Sequence, residues 1–224
     1  MRAPSVAILC CALFSAPARA EELGAIRLAD LCVTNGVAAE SGSKLRIDSA
    51  SSRAVLRAMT AEIAEIRFRY LGPSASDKPL ASGELRRQIG VKLRAQDSCN
   101  LVYAMWRIEP DSRVVVSVKR NPGMSTHDEC HADGYVNLKP TTGAQPPKIA
   151  IGEDHVLKAE LEKTRLTVLA DGRIAWSGVL GRQAFEFDGP VGLRTDNARF
   201  ELTFMAPPPV GPAPAAKCEP SEGD

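Results

Sequence analysis

The chain has 224 residues, of which 44% are hydrophobic and 25% charged, and a formal net charge of +1. That composition suits a globular protein and excludes disordered, collagen-like and coiled-coil chains. A near-neutral chain without a basic block also lacks the electrostatic footprint of non-specific phosphate binding, so nucleic acid is not an expected partner.

Residues 1–20 have the three parts of a secretory signal peptide: Arg2, the apolar run from Val6 to Phe14, and Ala18, Arg19 and Ala20 as a small-x-small cleavage pattern before Glu21. The run is shorter than the roughly 20 apolar residues that a bilayer span needs. Leu9 before Cys10 departs from the small residue that a lipoprotein anchor would require. No later apolar stretch approaches membrane length, so the expected product is periplasmic or secreted and does not span the membrane after cleavage. It has 204 residues, with 26 basic and 27 acidic groups. Arg outnumbers Lys by 19 to 9, a bias that suits a GC-rich bacterial coding sequence.

Between Ser51 and Ala64 two patterns compete. Val55, Met59, Ile63 and Ile66 fall at helical spacing, which would make a short helix near residues 52–63. Leu56, Ala58 and Thr60 equally begin a strand, and the alternation that follows favours the strand. From Ile66 onward period two dominates. Ile66, Phe68 and Tyr70 alternate with Arg67 and Arg69, and Ile89, Val91 and Leu93 with Gly90, Lys92 and Arg94. Further runs cover 101–108, 114–119, 135–138, 156–161, 166–169, 174–176 and 200–204, separated by turn residues such as Gly72-Pro73, Asp133-Gly134 and Asp171-Gly172. Many short strands at this spacing predict an all-β fold, a two-sheet antiparallel β-sandwich. The predicted organisation is a signal peptide over 1–20, one sandwich domain over 21–205 and a Pro-rich strap over 206–224, with five prolines between Ala206 and Ala216.

Four cysteines remain after signal removal: Cys32, Cys99, Cys130 and Cys218. An even number in an exported chain favours disulfides. Three pairings are open. The preferred one joins Cys99 to Cys130 across a local loop and Cys32 to Cys218, which an extended strap of ~37 Å from Ala206 would reach.

Residues 155–204 contain a His-led strand, a strand ending in Asp171-Gly172, then Trp176 and Gly178, and finally Gly192-Leu193-Arg194-Thr195-Asp196-Asn197 before a last strand. This order resembles the closing strands of the concanavalin A-like and laminin G-like jelly rolls, the lectin and glucanase superfamily. The resemblance covers about 50 residues in detail and implies the jelly-roll form of the sandwich. In that light Asp171-Gly172 reads as a two-residue hairpin and Trp176 as a core plug or sheet-edge residue. Arg194, Asp196 and Asn197 could form a polar site, but the preferred reading is a polar turn before the last strand, in which Asp and Asn bond local backbone.

The superfamily's enzymatic branches are tested by their residues, since fold does not fix function. Retaining glycosidases of this fold carry a Glu-x-Asp-x-(x)-Glu strand that sets two carboxylates about 5 Å apart, and this chain has no such triplet. The alginate-lyase-like pattern is only grazed by Glu84-Leu85-Arg86 and Gln88-Ile89-Gly90, where Gly90 occupies the place of a His. GxSxG, P-loop, GxGxxG and HExxH motifs are absent. No catalytic residue is assigned, and no cofactor is expected.

The densest reactive cluster is Thr126-His127-Asp128-Glu129-Cys130-His131-Ala132-Asp133. On a helix His127 and His131 would face one way and, with Asp133, could hold calcium or zinc. The flanking Asn121-Pro122-Gly123 and Gly134 argue instead for a disulfide-pinned loop. Candidate ligand contacts are Trp106, Tyr103 and Tyr135 as stacking platforms, with Arg107, His127 and His131 beside them; core packing competes for Trp106 and Tyr103. The function expected is an exported, non-catalytic module binding glycan or another cell-surface component. A glycan-active hydrolase or lyase with unusual catalytic residues and a structural envelope protein are the alternatives.

Overall fold

The computed structural model describes residues 22–212. The expected signal peptide, Cys218 and the strap beyond Pro212 lie outside the described residues. The chain begins with β1 (Gly24–Ala25), β2 (Leu31–Asn35), β3 (Ala39–Ser41), β4 (Lys44–Leu56), β5 (Ala58–Met59) and β6 (Ile63–Pro73). β7 (Arg87–Leu93), β8 (Leu101–Glu109) and β9 (Arg113–Lys119) lead to a single helical turn, α1 (His127–Cys130), and then β10 (Tyr135–Leu138). β11 (Asp154–Glu162), β12 (Arg165–Ala170), β13 (Arg173–Val179), β14 (Gly192–Ala206) and β15 (Gly211–Pro212) complete it.

β14 organises the fold because it belongs to two layers. One edge pairs with β4 from Gly192 to Leu202. The other pairs with β7 over Gly192 to Asp196 and with β6 over Ala198 to Met205. The curled antiparallel sheet thus doubles over into one layer ordered β10-β9-β8-β7-β14-β4-β2 and another ordered β13-β12-β11-β6-β14-β4-β3. β15 pairs with β5 alongside, so the first strap residues return to Ala58 and Met59.

Asn197 makes the switch possible. Its φ of 54° is in the left-handed region, which Asn tolerates better than most side chains. The ladder to β6 shifts register between Ala198 and Phe200, so one strand bends and the inward set changes phase. Before Asn197 the core side chains include Leu193 and Thr195; after it they are Ala198, Phe200, Leu202 and Phe204. Arg194 and Asp196 consequently project away from the core. The expected polar turn before the last strand is therefore corrected: these residues lie inside β14 itself.

The core lies between the layers. Phe68 packs edge-on against Trp106, with ring centroids 5.8 Å apart, and against Phe200 at 5.7 Å. Trp176 is buried against the same core, and Asp171-Gly172 forms the two-residue turn between β12 and β13. The helical alternative for residues 52–63 is not adopted, because Ser52, Ala54 and Leu56 point inward at period two along β4. The loop reading of residues 126–133 is corrected to include α1. Glu129 Oε2 accepts from the backbone N–H groups of Ser125 at 2.8 Å and Thr126 at 2.9 Å, which ties up donors at the helix start. Cys99 and Cys130 are disulfide-bonded with Cα atoms 5.8 Å apart. Cys32 is fully buried and disulfide-bonded; its expected pairing with Cys218 lies outside the described residues.

Candidate functional site

The outer face of the β10 to β2 layer is concave and polar, and strand register alone assembles it. One row runs Val115, Met105, Gly90, Arg194, Arg53 and Asn35 across β9, β8, β7, β14, β4 and β2. The next row is Arg113, Arg107, Gln88, Asp196 and Ser51. On the opposite side lies the row Asn137, Ser117, Tyr103, Lys92 and Gly192. Alternation does this: each inward Ile, Val or Leu on β7 is flanked by a residue facing the cleft. A cleft of about 820 Å³ is lined from these rows by Val115, Met105, Arg194, Arg53, Asn35, Arg107, Gln88, Ser51, Asn137, Ser117 and Tyr103. The loop from Lys78 to Arg86 forms one rim, and α1 with β10 forms the opposite wall.

The rim loop is held by the residue that bends β14. Asn197 Nδ2 donates to the carbonyls of Lys78 at 2.8 Å and Arg86 at 3.1 Å, and its Oδ1 accepts from Lys78 N–H at 2.7 Å. The far wall is held by the disulfide loop, where Lys119 Nζ donates to the carbonyls of His131 at 2.7 Å and Ser98 at 3.1 Å.

On the floor, Arg194 grips Asp196 through Nε at 2.8 Å and Nη2 at 3.2 Å, and Gln88 Nε2 donates to the same carboxylate at 2.6 Å. Burial disfavours the Arg194 charge, but Asp196, Tyr135 and Tyr103 together outweigh it and raise its pKa well above the usual value. Arg194 also donates through Nη1 to Tyr135 Oη at 3.3 Å and lies 5.0 Å over the Tyr103 ring. Tyr103 and Tyr135 stack with centroids 6.0 Å apart. Desolvation opposes ionisation of Tyr135, yet the facing cations Arg194, Lys119 and Arg53 prevail and hold its pKa below the ordinary tyrosine value. Lys92 is 3% exposed. Burial, reinforced by Arg53, Arg194 and Lys119, lowers its pKa to about 7.

Of the residues singled out from sequence, Arg107, His127, His131 and Tyr135 line the cleft together. Trp106 does not: it faces the core with no exposed surface, and its Nε1 donates to Ser112 Oγ at 3.1 Å. Residue parity explains the correction, since Tyr103, Met105 and Arg107 face the cleft and Ala104, Trp106 and Ile108 the core. Asp133 is exposed and outside the cleft lining. The rings of His127 and His131 are 6.2 Å apart and perpendicular. Among the described residues no group of three or more His, Cys, Asp and Glu is arranged to hold a metal ion. Arg53, Gln88, Lys92 and Lys119 were not anticipated. Their signal was present, since a Lys or Gln alternating with Ile and Val in a strand marks a second, functional face as readily as a solvent face.

No family model matches the chain, and no curated protein matches it in sequence. In structure it is similar to the carbohydrate-binding module CBM66 from Bacillus subtilis, at 16% identity and a TM-score of 0.54 over 77% of this chain and 91% of that one. It is also similar, at 9% identity and a TM-score of 0.51, to a structure from work on endo-acting O-glycanases that prominent members of the human gut microbiota express to initiate mucin breakdown; the match covers 83% of this chain and 94% of that one. The fold is a jelly-roll β-sandwich. LamAcat from Zobellia galactanivorans matches at 14% identity and a TM-score of 0.47, over 75% of this chain and 78% of that one. At such identities the likeness to these proteins is one of fold. In this jelly roll the cleft therefore has to be read from its own residues.

Proposed function

We propose that the protein is an exported, non-catalytic module that binds a glycan of the cell envelope or surroundings in the cleft of its concave sheet. The observation that carries this reading is the lining. The floor presents guanidinium, amide and phenol groups, which hydrogen-bond and stack on sugar rings, and no Asp or Glu is among the cleft-lining residues. Asp196 is the nearest floor carboxylate, and Arg194 and Gln88 occupy it. A glycosidase needs two carboxyl groups beside the bond it cleaves. The carbohydrate-binding neighbour of the same fold supports the reading, and residues 1–20 support export. A glycan array probed with the chain lacking residues 1–20 tests it. Binding to at least one glycan, lost in Arg194→Met, is expected; binding to none overturns it.

Tyr135 carries a second reading, a lyase. A phenol whose pKa is lowered by surrounding cations is suited to accept a proton. On an acidic sugar its phenolate would take the proton at C5; the C5–H electron pair forms the C4–C5 double bond, and the C4–O bond breaks, its oxygen leaving on the glycosidic partner and taking up a proton from the resulting phenol or from water. The product's conjugated double bond absorbs in the ultraviolet. Growth of that absorbance with wild type and its loss in Tyr135→Phe would establish this reading, whereas unchanged absorbance with polygalacturonate and alginate removes it.

A further inference from the structure

The cleft collects positive charge that the whole chain does not have. Arg53, Lys78, Arg86, Arg107 and Arg194 line it, with His127 and His131, and no acidic residue is among the lining. These residues are far apart in sequence, so no basic block announces them. Arg194 is held by Asp196, and Arg86 Nε donates to Glu84 Oε2 at 2.5 Å.

Arg107 stands differently. It is 5% exposed, and its Nε and Nη1 are buried without a hydrogen-bond partner. The nearest carboxylate oxygen, Glu84 Oε1, is 3.7 Å from Nη1, beyond hydrogen-bond reach. Guanidinium donors buried without acceptors carry a desolvation cost; Arg87 and Arg199 each leave one such N–H and Arg107 leaves two, on a residue that lines the cleft. Burial, with Arg86 and Arg113 nearby, disfavours the Arg107 charge further. Arg107 also lines the cleft, and an anionic group against its cleft-facing edge would offset the buried charge.

We propose that the cleft is a site for an acidic glycan, and that Arg107 with its neighbours Arg86 and Gln88 forms the subsite for a carboxylate or sulfate on one sugar. This deepens the glycan-binding reading and rests on it. A guanidinium fork matches the planar geometry of a carboxylate and two oxygens of a sulfate. The ligand class is a sugar polymer and not a nucleic acid, because the charge is confined to one cleft of about 820 Å³ in a near-neutral chain, whereas a polynucleotide backbone needs an extended basic track.

The test is calorimetric titration of the full chain, after removal of residues 1–20, with polygalacturonate, dextran sulfate, unmodified dextran and double-stranded DNA at fixed salt. Binding to the carboxylated or the sulfated polymer, at least tenfold tighter than to dextran or DNA, is expected, and the tighter of the two identifies the anionic group. Arg107→Met should weaken that binding about tenfold to hundredfold while its Tm stays equal to or rises above wild type, because an unsatisfied buried charge has been removed. A purely structural Arg107 would lower Tm instead. Dextran bound as tightly as the charged polymers overturns the acidic-ligand inference and leaves glycan binding standing. No binding to any polymer overturns both. DNA bound as tightly as the acidic glycans, or undiminished binding by Arg107→Met, overturns the ligand class or the subsite respectively.

Discussion

Asn197 and Lys78, 119 positions apart, are locked together through both groups of the Asn side-chain amide: Lys78 N–H donates to Oδ1 at 2.7 Å and Nδ2 donates to the Lys78 carbonyl at 2.8 Å. The residue that switches β14 from one layer to the other thus also fixes the rim of the cleft. Replacing it should separate backbone from side-chain effects. Asn197→Ala is expected to cost about 2–4 kcal/mol through lost hydrogen bonds and a strained left-handed backbone. Asn197→Gly, which keeps the backbone freedom, should cost measurably less. Urea denaturation midpoints give both, and equal losses would show that the backbone conformation contributes nothing.

Lys92 gives the protein a defined pH response. Its amine is held near pKa 7 by burial, with Arg53 on β4, Arg194 on β14 and Lys119 on β9 facing it and Asp97 opposing; Tyr103 lies across the strand pair. Between pH 7 and the ordinary lysine value of 10.5 the unfolded chain binds a proton at this residue that the folded chain does not. This contribution to stability therefore rises with pH through that window, and the charge-burial cost is fully present below it. Lys92→Met is expected to gain on the order of 2–4 kcal/mol at pH 6 and little at pH 10.5. An equal gain at both pH values would contradict the assignment.

The disulfide contributes to stability and site geometry together. Cys99 and Cys130 close a loop of sequence separation 31, worth about 3.5 kcal/mol in the loop-entropy description. The residues just outside the bridge, Ser98 and His131, supply the carbonyls that seat Lys119 beneath Tyr135. Replacing both cysteines by serine should lower stability by about 3–4 kcal/mol and also weaken ligand binding. Retained affinity in a destabilised variant would show that the loop does not shape the wall.

Trp106, a candidate contact by residue type, should behave as core. Trp106→Phe is expected to lose about 1–3 kcal/mol of stability with ligand affinity unchanged within twofold. A larger affinity change would mean that the indole reaches the ligand.

β6 and β7 were legible because their apolar residues Ile66, Phe68, Tyr70, Ile89, Val91 and Leu93 alternate with Arg, Lys and Gly on one phase. β4 was not, since Leu45 and Ile47 set one phase and Ser52, Ala54 and Leu56 another, with the serine-rich bend beside Asn197 between them. Tyr135, Arg107 and the two histidines were identifiable by chemistry, and Arg194 as part of a polar segment, whereas Arg53 became a site residue only through register, which pairs it with Arg194 far along the chain. The low net charge hides the basic cleft in the same way: it sums over the chain, while Arg53, Lys78, Arg86, Arg107 and Arg194 converge on one face.

The central claim is that the ligand lies on the concave sheet. Hydrogen–deuterium exchange of the chain with and without polygalacturonate or dextran sulfate tests it most directly. The account predicts slowed exchange in the rim at 78–86, in β7 and β8, and in 127–137, with β11, β12 and β13 unchanged. Protection confined to β11, β12 and β13, or no protection with any bound glycan, would contradict it.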